Sequence, residues 1–313
     1  MLFRAGTGSG DRFPEKDGTI RISPFPTGRF RNRMTLLERV RAARRFDPAF
    51  HLRFCAGGFE LGWVRADHAR RLSAWPQVFD IDGGSIRLAA HLDTPQRRSA
   101  ALAAVMRELA DENYLRGWRD ELYAVAPAYG EPPLFHLERA AARLFGVGTY
   151  AVHVNGVVGK GDACRMWLAR RSAGKPIDPG MLDNLVGGGL AAGLSVAQTL
   201  VKEAWEEAGV APERMAQAHA CDEVTLLREV PEGVQAETIF VHDLDLPEDF
   251  RPANQDGEVT EFKLLPIEAV LSLLRDDAGI TLDSSLVMLS FMLRRGYLPR
   301  NDPVGLEFAR LCS

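Results

Sequence analysis

The 313-residue chain has few cysteines and no spacing that would make them work together. Cys55, Cys164, Cys221 and Cys312 stand far apart with no C-x-x-C, which argues against a zinc knuckle or a redox dithiol. They read as reduced thiols of a cytosolic protein. There is no excess of positive charge either: 38 Lys and Arg face 42 Asp and Glu, for a net charge of -4. That removes the electrostatic case for a nucleic-acid or an anionic-membrane partner. No apolar run reaches the roughly 20 residues of a spanning helix. The nearest, the uncharged stretch 185–201, is broken by glycines, Ser195, Gln198 and Thr199. The amino terminus has no apolar signal core, so a cytoplasmic location is expected.

What is present is the composition of a globular protein, 46% hydrophobic and 26% charged, long enough for about two domains. Residues 1–33 hold Pro14, Pro24, Pro26 and scattered arginines with little periodicity, and read as a disordered extension. A start at Met34 is an alternative. From there Leu36, Leu37, Val40 and Ala43 space as an amphipathic helix. HLRFCAGGFELGWV reads as strand, turn and strand, and Thr94-Pro95 opens a helix running to about Asn113. This makes a small α+β domain over 34–133, without a chemistry-bearing cluster. The prolines and glycine of APAYGEPP, 126–133, read as a linker.

The second domain, 134–313, carries four strand-like segments: TYAVHVNGVV, RMWLARRS, ETIFVHDL and VTEFKLLP. Helices are expected over 196–208, near Ile267–Arg275 and over Ser284–Arg295. Strands outnumber helices and do not alternate strictly with them. A mixed sheet flanked by helices, an α+β arrangement, fits better than a doubly wound parallel sheet.

The chemistry concentrates in DNLVGGGLAAGLSVAQTLVKEAWEEAGV, residues 183–210. Ser195 and Gln198 form a capping box, and Gly209 with Pro212 ends the helix. Ala197, Leu200, Val201, Ala204 and Ala208 fall on its buried stripe. Glu203, Glu206 and Glu207, at i, i+3 and i+4, share one side. Three such carboxylates repel one another, and a hard divalent cation removes that cost. Taken alone, a solvated acidic face with a Lys202–Glu206 surface pair explains such a helix better. The glycines shift the balance, since a bare loop lets backbone approach a ligand and turn its amides toward an anion. A metal and a phosphorylated ligand are the joint reading.

These residues resemble the Nudix hydrolase signature: glycine, five residues, glutamate, seven residues, then Arg-Glu, an aliphatic residue, any residue, Glu-Glu, any residue, Gly and an aliphatic residue. Gly188 takes the glycine, and Lys202-Glu203-Ala204-Trp205-Glu206-Glu207-Ala208-Gly209-Val210 the second half. Leu194 replaces the first glutamate and Lys202 the arginine. In the family those two are scaffold partners, so the changes look coupled and the metal triad intact. HVNGVV, MWLARRSAGK, PGMLDNLVGGGLAAG, QAETIFVHDLDLPEDF and NQDGEVTEF are similar to the thiamin-pyrophosphokinase-related Nudix subgroup, which carries an extra amino-terminal domain.

The resemblance implies a Nudix-type α/β/α sandwich, Mg²⁺ (with Mn²⁺ as a substitute), and water attack on a small-molecule diphosphate. Glu203, Glu206 and Glu207 become the metal ligands, with Gly188 offering backbone. Glu258 in NQDGEVTEF is the first choice of general base, beside Glu206 and Glu207. Arg170, Arg171 and Lys175 lead toward the glycines as phosphate contacts, and only one of the two adjacent arginines is expected to reach. His153 and Asn155 share a sheet face and are candidate substrate contacts. Trp167 and Trp205 read as packing, Arg294 and Arg295 as a solvated helix end. The subgroup implies thiamine diphosphate analogues, oxidised or damaged forms, as substrates, with specificity from the first domain or an insertion at 211–235. The alternatives are a hydrolase of another nucleoside or isoprenoid diphosphate, or a non-catalytic ligand-binding module. A homodimer is compatible with the family.

Overall fold

A computed structural model describes residues 34–276 and 279–312, together with a two-rung ladder of β1 (Phe13–Pro14) and β2 (Ile20–Arg21). The extension expected over 1–33 otherwise lies outside the described residues. Helix α1 (Leu36–Ala42) starts at Thr35, whose hydroxyl and the Glu38 carboxylate form a reciprocal capping box. Strands β3 (His51–Ala56) and β4 (Phe59–Arg65) turn at Gly57 and Gly58, both at positive φ (59° and 86°). After α2 (Ala66–Leu72), β5 (Phe79–Ile81) and β6 (Ser85–Leu88) complete a sheet of order β4-β3-β6-β5. Helix α3 (Pro95–Asp111) has Thr94 as cap and Pro95 in its first turn, as predicted. It buries Leu102, Val105, Met106 and Leu109 against that sheet's core.

The segment 126–133 is not a linker. It connects β7 (Leu122–Val125) to β8 (Phe135–Glu138), two strands of one antiparallel hairpin. Tyr123, Val125, Phe135 and Leu137 belong to the first unit's core, which continues through α4 (Ala142–Phe145) to Val147. Prolines at a hairpin turn need no break in the core around them, so composition alone misplaced the boundary.

The second unit contains β9 (Gly148–Val158), β10 (Arg165–Arg171), β11 (Leu182–Asp183), β12 (Val186–Gly189), α5 (Val196–Ala208) and α6 (Pro212–Met215). It continues with β13 (His219–Val230), β14 (Gly233–Asp245), β15 (Val259–Pro266), α7 (Ile267–Arg275), α8 (Leu282–Arg294) and α9 (Pro303–Ala309). Seven strands form one mixed sheet: β9 pairs β14 in parallel and β10 and β12 antiparallel, while β15 lies along β10. Alternation sorts the side chains. Ala151, Val157, Ile239 and Val241 face α1, α7 and α8, whereas Val152, Val154 and Leu244 face α5. The result is the α/β/α sandwich with a mixed sheet, preceded by an additional α+β unit.

Three expectations change. Gly187–Gly189 are not loop residues but part of β12, in register with His153–Ala151 of β9. The supposed insertion at 211–235 supplies α6 and β13, an eleven-rung hairpin partner of β14. Helix α1 leaves the first unit and packs into the second: Leu36, Val40 and Ala43 share a core with Ile267, Val270 and Leu286. Buried Arg39 donates from Nε to Leu274 O at 3.0 Å and from Nη1 to Ser285 Oγ at 3.0 Å.

Candidate active site

Helix α5 occupies the predicted span, with Ser195 and Gln198 in reciprocal capping bonds and Gly209 left-handed at φ 63°. Thr199, Leu200, Ala204, Glu207 and Ala208 are its buried residues; Ala197, placed on the buried stripe by spacing, is exposed. Trp205 is also not packing: it is 51% exposed on the outer side of the helix, while Trp167 is buried against Phe250.

The glycines of β12 explain how the carboxylates come so close to the sheet. A Cβ on Gly188 would fall on the Glu203 carboxyl group, and one on Gly187 would lie 3.0 Å from the His153 ring. The Gly187 N–H donates to Glu207 Oε2 at 2.8 Å. Burial, then the nearby Asp183 carboxylate, push the Glu207 carboxyl up to about 8. Burial also raises Glu203. Glu206 is more open, and Lys202 donates to both Glu206 Oε2 (2.7 Å) and Glu203 Oε1 (2.9 Å).

Among the described residues no three His, Cys, Asp or Glu side chains already converge as a metal cluster. The reason is local: the Lys202 ammonium spans Glu203 and Glu206, and Glu207 turns inward to Gly187. The donor chemistry nonetheless fits a divalent cation. Glu207 is a buried acid beside two other carboxylates, and Glu203 is drawn onto bare backbone at Gly188. A dication there offsets a repulsion that one lysine answers only in part.

The remaining predicted residues separate into two groups. Lys175 and Glu258 form an ion pair, and Glu258 also accepts from Arg119 Nη1 at 3.1 Å. Arg171 donates to buried Asp183 at 2.7 Å, while its neighbour Arg170 turns the other way, to Glu261 at 2.8 Å. That is the opposition expected of consecutive strand residues. His153 and Asn155 sit beneath the site rather than in it. His153 Nδ1 is 2.9 Å from Asn184 Oδ1, Asn184 donates to Asn155 Oδ1 at 3.0 Å, and Asn155 donates to Asp243 Oδ1 at 3.1 Å. Asn155 is fully buried, so it serves the frame and not a ligand. The same chain ends on Arg294, which holds Asp243 through two 2.8 Å bonds. Arg294 is therefore a half-buried anchor, not a solvated helix end.

Sequence reasoning missed three residues of the first unit. Tyr123 places its hydroxyl where a Cβ on Gly189 would be. Arg139 lies 5.7 Å from the Tyr123 ring centroid, and Arg119 reaches Glu258 at 3.1 Å. No local pattern marks them, since their neighbours at the site lie far along the chain.

A family profile described as a domain of unknown function, DUF4743, matches residues 34–149, and one described as a NUDIX domain matches residues 149–283. The chain is 36% identical over 252 residues to Nudix hydrolase 24, chloroplastic, of Arabidopsis thaliana, covering 80% of this chain and 69% of that one. It is 41% identical over 215 residues to Nudix hydrolase 20, chloroplastic, of the same plant, covering 69% of this chain and 58% of the relative. An uncharacterized protein of Saccharomyces cerevisiae is 30% identical over 249 residues, 74% of this chain and 72% of the relative.

Fold and site together define a hydrolase of phosphoric anhydride bonds. The chain belongs to the Nudix hydrolase family. The alternative of a non-catalytic module gives way to that assignment. The expected cytoplasmic location does not stand, because both plant relatives are chloroplastic proteins. Among the described residues no helix is long and apolar enough to cross a membrane.

Proposed function

We propose that the protein is a divalent-metal-dependent hydrolase of small-molecule diphosphates, with oxidised or damaged thiamine diphosphates as the preferred class. The observation that carries the chemistry is the drawing of Glu203 and Glu207 onto the glycines of β12, with Lys175 and Glu258 paired nearby. The support for the narrower substrate is the resemblance in HVNGVV, PGMLDNLVGGGLAAG and NQDGEVTEF.

Glu203, Glu206 and Glu207 would hold Mg²⁺ or Mn²⁺, with backbone at Gly188 close by. When bound, the metal gathers phosphate oxygens and lowers the pKa of a water. Lys202, bonded to Glu203 and Glu206, would have to give up both carboxylates for them to hold a dication. Glu258 receives the proton of the attacking water, and Lys175 orients its carboxylate, which Arg119 also holds before substrate binds. Arg171 fixes Asp183 behind Glu207. The net charge of -4 suits a small substrate rather than a polyanion.

The test is hydrolysis with Mg²⁺, read as phosphate release from thiamine diphosphate, its oxy and oxo forms, ADP and geranyl diphosphate, and as AMP formation from ADP-ribose. Preferential release from the oxidised thiamine diphosphates, abolished in Glu206→Gln, is expected. Release from another member instead would remove the thiamine assignment and keep the chemistry. Glu258→Gln is expected to lower kcat by about 10²–10⁴-fold with the fold intact. Unchanged kcat would transfer the base role elsewhere.

A further inference from the structure

The β7–β8 hairpin belongs to the first unit's core, yet it is fastened to the second unit at both ends. The Ala192 N–H, in the turn that leads into α5, donates to Leu122 O at 2.7 Å. At the hairpin tip, Tyr129 lies against Tyr150 and Phe240 of the large sheet, with ring centroids 4.9 and 5.0 Å apart. Between these ties Tyr123 is buried, and its hydroxyl takes the volume that a side chain at residue 189 would need. The Arg139 guanidinium sits 5.7 Å from the Tyr123 ring centroid and donates to both oxygens of Glu121, at 3.3 and 3.0 Å. The Arg119 backbone N–H is held by Glu138 Oε1 at 3.0 Å, and its guanidinium reaches Glu258 across the unit boundary. The two arginine side chains remain 32% and 38% exposed although each has one guanidinium nitrogen on a carboxylate.

We propose that the first unit completes the active site: Arg119 and Arg139 bind the diphosphate of the substrate, and Tyr123 positions Arg139. The proposal rests on the hydrolase reading above. Its logic is charge and shape. The α5 carboxylates with their dication neutralise one side of a diphosphate; the other side needs cations. A guanidinium offers two parallel donors matched to a pair of phosphate oxygens, which a lone ammonium at Lys175 does not. The electrostatic neighbours of Lys175 are Glu207, Arg171, Arg119 and Arg139, and Arg139 also senses Glu203. Arg119 and Lys175, one from each unit, converge on Glu258. A phosphate that takes Arg119 loosens its hold on Glu258, so binding frees the carboxylate that receives the proton.

The experiment uses the full chain and methylenediphosphonate, a diphosphate mimic whose P–C–P bridge resists hydrolysis, titrated calorimetrically with Mg²⁺. Arg119→Gln and Arg139→Gln are each expected to weaken binding by about tenfold. Arg139→Lys recovers part of the loss. In turnover, KM rises more than kcat falls. Gly189→Ala weakens binding by displacing Tyr123, and adding Tyr123→Phe restores part of it. Unchanged affinity in both Gln variants, at wild-type Tm, overturns the proposal, as does the absence of binding by wild-type protein. Should Arg139→Gln unfold, Arg119→Gln and Arg139→Lys still decide. Phosphate release by the wild type with unaltered binding in the variants refutes only the arginines. Arginine-dependent binding without release from any substrate refutes only the hydrolase reading.

Discussion

At Gly188 the missing side chain is the function, because the Glu203 carboxyl group fills its space. Gly188→Ala is expected to destabilise the protein by about 1–3 kcal/mol through overpacking and to shrink the Mg²⁺-induced rise in Tm. Gly148→Ala, where a Cβ meets nothing within 4 Å, is the control and should be near neutral. Lys202 makes the opposite kind of statement. Its ammonium bridges Glu203 and Glu206, and burial is outweighed by those two partners, so its pKa is raised. Lys202→Gln removes a tethered competitor, and half-maximal metal binding should then need less Mg²⁺. A higher requirement would show that Lys202 supports the metal site. His68 supplies a pH dependence. It lies between Tyr114 Oη (2.7 Å) and Glu232 O (3.2 Å), and burial lowers its pKa from the ordinary value of 6.5. The unfolded chain then takes up the proton first as pH falls. Stability is full above about 6.5 and declines below it. His51 is shifted in the same direction by the same cause. Relative to His68→Gln, the wild-type Tm should therefore drop as pH falls from about 6.5 to 5.

At the scale of elements, local signals were enough where the element is closed by its own residues. The capping box at Ser195 and the left-handed Gly209 bound α5 as read, and period-2 alternation found β9, β10, β14 and β15. Signals failed where the deciding partner is remote. Val186–Gly189 reads as a loop because glycine disfavours strands, yet those glycines admit the Glu203 carboxylate, the His153 ring and the Tyr123 hydroxyl to the strand. Arg294 reads as solvated until β14 brings Asp243 to it. For the same reason the glutamates of the site were legible from spacing, while Arg119, Tyr123 and Arg139 were not. The Arg294–Asp243 pair joins α8 to the central sheet with Asp243 only 2% exposed. Arg294→Met leaves that carboxylate buried with a longer 3.8 Å contact to Arg295, and a loss of about 3–5 kcal/mol is expected. The double variant with Asp243→Asn should lose less. Equal losses would mean that the arginine acts by packing alone.

At the scale of the molecule, the two units share too much to melt apart. Helix α1 is built into the second core, and the β7–β8 hairpin lies against the Gly-rich strand. Urea unfolding followed at Trp63, Trp75 and Trp118 should coincide with unfolding followed at Trp167 and Trp205, using single-tryptophan variants. Separate midpoints would mean that the contacts between the units add little. The position of α1 also has a consequence for synthesis. Its apolar face, Leu36 and Val40, is covered by helices that begin at Ile267 and Leu282, and Arg39 bonds to Leu274 and Ser285. Helix α1 thus has its permanent neighbours 235 and 246 residues further along the chain. From the synthesis of α1 until α7 and α8 emerge, that face stays bare or borrowed, and the nascent chain depends on chaperone cover over that interval.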